Sequence, residues 1–203
     1  MPVSLTMKNV TYDTYSVRGK NLTDIAKSIK KSGPKDPNDN KKVAFLTTTV
    51  LDAEVTKGKY VADGKAKIDK KTDWFEVKYK IKSLKLILTP SVRCPKRSVS
   101  GLSPRAMVEW FRFYASALVH EAKHVDKAKK ESEKIAKEID KLRGVGLGET
   151  EKEAQSLAED DLKRAINNYF FVERERLNEI HRKFDHSTHH GEQQGALLDT
   201  SIL

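Results

Sequence analysis

The chain has 203 residues, 37% of them hydrophobic and 33% charged, with a formal net charge of +10. That length suits one domain with a sizeable core. No run approaches the eighteen or so apolar residues of a membrane helix, and the opening MPVSLTMKNVTY lacks a signal-peptide core, which predicts a cytoplasmic protein or one written without its leader. The single cysteine, Cys94, excludes an internal disulfide and a cysteine-rich zinc site. Lysines spread along the chain carry most of the charge, so it is read first as solubility, and nucleic acid is a disfavoured partner.

In chain order, VTYDTYSVRG is a β-branched and aromatic run closed by Gly19, which predicts a strand and turn. In NLTDIAKSIKKSGP, Asn21 is placed to cap a short helix with Leu22, Ile25, Ala26 and Ile29 on its apolar face, stopped by Gly33-Pro34. DPNDNKK is a polar loop. KVAFLTTTVLDAEV and TDWFEVKYKIKSLKLIL are predicted strands. In the second, Phe75, Val77, Tyr79 and Ile81 alternate with Glu76, Lys78, Lys80 and Lys82, the period of a half-buried strand. The phase then flips to Leu84, Leu86 and Leu88, which predicts a bulge or a new strand near Ser83. The lysine row is the wet face of an antiparallel sheet on this reading.

TPSVRCPKRSVSGLSP is predicted as a connector. From Ser103, an N-cap with Pro104 in the first turn, apolar residues from Trp110 to Leu142 recur at three- and four-residue steps, which predicts a helix running to RGVGLG. A second long helix is expected from about Glu149 to Phe184, then a polar tail. The expected architecture is α+β: a small antiparallel sheet with a short helix over residues 1–102, followed by a long helical hairpin within 103–203, in a single domain.

The first long helix contains His120-Glu121-Ala122-Lys123-His124. Residues four apart on a helix project side by side, so both imidazoles can converge on one zinc ion. Glu121 stands about 100° round the axis, placed to take a proton from a water on that ion as it attacks a carbonyl. A third ligand must come from elsewhere. No Gly-x-x-His follows the pair, which leaves the tail FDHSTHHGEQQG with Asp185, His186, His189 and His190.

These residues resemble the DUF922 group of bacterial proteins, described as predicted secreted zinc-dependent proteases. YSVRGKNLTDI…SGP is similar to that family's opening block, TDWFEVKY to its central strand, and WFRFYASALVHEAKH to its metal-motif helix. FDHSTHHGEQQGA is similar to its closing signature, with Asp185, Thr188, His190, Gly191 and Gly195 on the pattern. The resemblance implies a secreted or periplasmic zinc metallopeptidase with Zn2+ as cofactor and a peptide or protein as substrate. His120 and His124 are then ligands, Glu121 the general base, and His190 the third ligand, with Asp185 the alternative. His189 or His186 is the expected oxyanion stabiliser. The rival reading is a non-catalytic zinc or basic binding module that docks to an anionic polymer or a protein through Lys78, Lys80 and Lys82.

Overall fold

One strand organises the sheet. The computed structural model describes residues 2–97 and 101–202. The elements are β1 (Val3–Met7), β2 (Thr11–Val17), α1 (Leu22–Ser32), β3 (Leu46–Ala53), a 3-10 turn at Val55–Lys57, β4 (Lys59–Ala62), β5 (Lys67–Ile68), β6 (Phe75–Arg97), α2 (Pro104–Ile139), β7 (Arg143–Gly148), α3 (Glu151–Thr188) and a 3-10 turn at Glu192–Gln194. Each of the other six strands pairs with β6, which has 23 residues.

The expectation of a small antiparallel sheet followed by a helical hairpin is overturned. Among the described residues the sheet has seven strands, and β1 and β2 run parallel to β6, in the registers Val3↔Leu84 and Thr11↔Ser91. β4, β5 and β7 pair with it antiparallel. Alternation along a strand reports which face is buried and says nothing about the direction of its partner. The predicted connector continues β6 as far as Arg97, while its residues 98–100 lie outside the described residues. Pro90 falls between the residues paired with β1 and those paired with β2, so neither of those two ladders needs its missing N–H. The bulge expected near Ser83 is present: Lys59 faces Ser83 and Tyr60 faces Ile81, which leaves Lys82 without an opposite residue. Burial changes phase at that point, with Ile81 and Leu84 both buried.

RGVGLG, expected as the end of a helix, is the strand β7. Its glycines occupy alternate, buried positions because α3 lies against that face. A Cβ on Gly144 would come within 2.1 Å of the Ala158 carbonyl oxygen, and one on Gly146 within 2.0 Å of that of Ala154. The glycines are therefore the inward half of a two-residue repeat.

The chain divides into two compact units. One comprises Met1–Lys8, Val50–Leu88 and Lys129–Leu177, the other Asn9–Thr49, Thr89–Ala128 and Asn178–Leu203. In the first, Val77, Ala154 and Ala158 form a buried cluster with Phe75, Tyr79 and Ala66 against it. Its lysine row is largely neutralised: Lys78 lies 3.6 Å from Glu76, and Lys80 2.8 Å from Asp63, which also takes Arg143 at 2.7 Å. No helix is long and apolar enough to cross a membrane among the described residues.

The second unit holds every residue of the site described below. Asn21 caps α1, its Oδ1 accepting the Asp24 N–H at 2.8 Å. Leu22, Ile25 and Ile29 of α1 pack with Val92 and Cys94 of β6 and with Trp110, Phe113 and Ala117 of α2. Burial of each large side chain contributes roughly 1.5–3 kcal/mol. Ser103 caps α2 through its Oγ, which accepts the Ala106 N–H at 3.1 Å. Phe45 meets Phe113 and Tyr114 edge-on, at centroid distances of 5.9 and 5.0 Å. This apolar face fixes the rotation of α2 about its axis, and thereby the direction in which its next turns aim.

Candidate metal centre

His120, Glu121 and His124 follow that apolar face one turn on, and they are buried, at 2, 6 and 4% exposure. A histidine pair on a wet helical face would not be so enclosed. Opposite them stand His181 and Asp185 of α3. A second pair four residues apart, on a second helix, thus meets the first.

Three donor atoms converge. His120 Nε2 and His124 Nε2 are 3.1 Å apart, and Asp185 Oδ1 lies 3.1 Å from the first and 2.9 Å from the second. A tetrahedral zinc site with bonds of about 2.0–2.1 Å has ligand-to-ligand separations of roughly 3.3–3.4 Å. The triangle would need to open by only a few tenths of an ångström, so the residues fit such an ion.

The outer ring nitrogens are held as well. His120 Nδ1–H donates to Gln194 Oε1 at 3.1 Å, so in the neutral ring Nε2 is the lone-pair nitrogen, whereas in the protonated ring it donates to Asp185 Oδ1. His124 Nδ1 is 2.9 Å from His181 Nδ1, and His181 Nε2 is 2.9 Å from Thr49 Oγ1. Because the threonine hydroxyl can donate or accept, this relay runs in either direction. The direction with the proton on His124 Nδ1 frees His124 Nε2 for a metal, and such partners orient metal-binding histidines. Phe184 stacks on the His120 ring at 4.9 Å and 13°, and meets that of His124 edge-on.

The electrostatics favour a cation. Burial alone would raise the Asp185 pKa, but hydrogen bonds from His120 and His124 and their charges outweigh it, and the carboxyl is held well below the usual range. Burial would likewise lower the His120 pKa, yet Asp185, Glu121 and Gln194 together raise it. Burial, then the charge of His124, pushes His181 down to about 4, so it serves as a neutral relay. Glu121 is raised, chiefly by burial, with Thr47, His124 and His120 opposing.

The segment after α3 is bound tightly. His189 and His190 have φ of 49° and 51°, and Gly191 has φ of 85°. At Gly191 the backbone passes so close to His120 that a Cβ would lie 3.0 Å from its Cγ. Arg112 grips Glu109 with two hydrogen bonds of 2.6 and 2.7 Å, and also donates to the carbonyls of Gly195 and Leu197 at 2.7 and 2.6 Å. Glu109 accepts the Asp199 N–H at 2.8 Å. This clamp fixes the turn that carries Gln194.

Of the residues expected from sequence, the structure brings together His120, His124 and Asp185, with Glu121 beside them. It does not bring His190 to that triangle: the ring is exposed, with Nδ1 3.8 Å from Asp36 Oδ2. His186 is exposed, and so is His189, whose Nδ1 is 3.4 Å from Gln193 Nε2. Sequence reasoning missed His181, Gln194 and Asp36. The signal for His181 was its four-residue spacing from Asp185, hidden because the helix was expected to end at Phe184.

No curated protein and no solved structure matches the chain. Residues 12–191 match the DUF922 family, described as a bacterial protein of unknown function, and they span both the opening block and the His120–His124–Asp185 triangle. The chain belongs to the DUF922 family.

Proposed function

We propose that the chain is a zinc-dependent hydrolase of peptide bonds. The observation that carries this reading is the buried His120–His124–Asp185 triangle with Glu121 on the same helical turn. Asp185 is the third ligand in this proposal. Two neutral imidazoles and one carboxylate are a donor set suited to zinc, with a fourth position left for chemistry. Zinc held there would supply Lewis acidity and a lowered pKa for water.

The protein's own groups do the rest. Glu121, buried and with a raised pKa, takes a proton at its carboxylate and returns it to the leaving amine. Gln194 and His181 keep the proton of each ligand ring on the outer nitrogen. Phe184 covers the rings and excludes water from that side. The polymer-docking alternative loses support because Lys78 and Lys80 already have acidic partners.

Elemental analysis and a peptide-library assay test the proposal together. The protein is expected to hold one zinc per chain and to cleave peptides. Glu121→Gln should keep the zinc while cleavage falls by about 10²- to 10⁴-fold, the usual worth of a general base. No zinc uptake, or undiminished cleavage by Glu121→Gln, would refute it.

A further inference from the structure

The loop after α1 carries a carboxylate that the triangle does not use. Asp36 is 2% exposed. The loop is tied around it: Oδ1 accepts the Asn38 N–H at 2.7 Å, its own N–H donates to Lys41 O at 2.8 Å, and its carbonyl accepts the Asn40 N–H at 2.9 Å. Oδ2 is left facing His190, with Nδ1 at 3.8 Å. Asn38 N–H satisfies Oδ1, and the His190 imidazole stands within ion-pair range of Oδ2, the charged partner that favours burying a carboxylate.

His190 is held in place by its backbone. Its φ of 51° lies in the left-handed region, where a residue other than glycine persists only when its surroundings enforce it. The enforcing bond is His190 N–H to Asp185 O, at 2.8 Å. Asp36, His190 and Asp185 each place one polar atom within 4.8 Å of the others, so the pair adjoins the carboxylate of the triangle. His120, Glu121 and His124 are enclosed, whereas the His190 side chain is 47% exposed. The exposed His190 ring thus lies beside the Asp185 carboxylate on the solvent side of the enclosed residues.

We propose that Asp36 positions His190, holding the ring by Nδ1, so that Nε2 donates a hydrogen bond to an anionic oxygen of the ligand at the triangle. The ligand class is the tetrahedral oxyanion: phosphate, phosphonate, or the oxyanion that a peptide carbonyl becomes when water attacks it. This rests on the metal-site reading above. Asp36 is a positioning residue, acting only through His190.

The test uses the zinc-loaded full chain and two probes, inorganic phosphate and acetohydroxamate, with calorimetry for affinity and elemental analysis for zinc. Phosphate is a tetrahedral anion that would use the His190 bond, whereas acetohydroxamate chelates the metal and does not need it. Asp36→Asn keeps the acceptor for Asn38 N–H, and His190→Ala changes an exposed side chain. Both should retain one zinc. Each should weaken phosphate binding by about 10- to 100-fold, the worth of one hydrogen bond to a charged group, and leave acetohydroxamate within about twofold. In the His190→Ala background, Asp36→Asn should add nothing.

Unchanged phosphate affinity in either variant overturns the pair, as does an undiminished Asp36→Asn effect once His190 is gone. Loss of zinc from His190→Ala makes His190 a ligand and also overturns it. A zinc-loaded parent that binds no phosphate sinks the pair and leaves the metal site standing. A parent that takes up no zinc refutes the metal-site reading itself, and the pair with it. Should Asp36→Asn fail to fold, His190→Ala decides the outcome by the same phosphate-to-hydroxamate contrast.

Discussion

Gly191→Ala tests how the segment after α3 shapes the proposed metal centre. Gly191 has φ of 85°, so any alanine there carries left-handed strain of about 1–2 kcal/mol. Gly64, with φ of 99°, carries the same strain, but a Cβ there meets nothing within 4 Å. At Gly191 the new methyl would lie 3.0 Å from both His120 Cγ and Ala196 Cβ. The His120 ring cannot easily yield, because Phe184 stacks on it and Gln194 holds Nδ1. Overpacking of this kind adds about 1–3 kcal/mol, for a total of roughly 2–5 kcal/mol against about 1–2 for Gly64→Ala. Turning the ring also moves Nε2 out of the triangle, so zinc affinity should fall by about 10- to 100-fold, as when an orienting partner is lost. Gly64→Ala should leave it unchanged. Urea denaturation of the zinc-free variants and competition against a chromophoric chelator measure the two effects. Equal destabilisation by both alanines, with unaltered zinc affinity, would refute the close-approach argument.

The clamp at the start of α2 predicts an acid-labile tail. The Arg112 hydrogen bonds hold the Glu109 carboxyl below its ordinary pKa against the opposing effect of burial. Its stabilisation is therefore complete above the unfolded value of about 4.3 and is lost as pH falls through the lower folded value. Hydrogen-exchange protection of the Asp199 amide should begin to drop below about pH 4, near the unfolded pKa, and be lost as pH falls through the lower folded one, and Glu109→Gln should remove that acid dependence; persistent acid lability in that variant would exclude Glu109 as the cause. In the other unit, Gly146→Ala should destabilise by more than about 3 kcal/mol, because the close contact is with helix backbone and cannot be relieved by a rotamer change. A thermal melt with an unshifted midpoint would mean that β7 does not lie against α3.

Local chemistry in the sequence determined the parts that act over one or two turns. Asn21 and Ser103 marked helix starts because a side-chain oxygen satisfies N–H groups three residues on. His120 and His124 were legible as a pair because 3.6 residues per turn puts them on one face, and the phase flip after Ile81 announced the bulge at Lys82. Tertiary structure decided what depends on distant partners. The directions of β1 and β2 follow from the ladders they join, which a two-residue alternation cannot encode. RGVGLG, expected as the end of a helix, is a strand because α3 supplies the surface that its glycines accommodate. Asp185, rather than His190, completes the triangle because α3 continues to Thr188 and carries the carboxylate on the same face as His181. His190, beyond the helix end, is turned by three left-handed residues toward Asp36, which is 154 positions earlier in the chain.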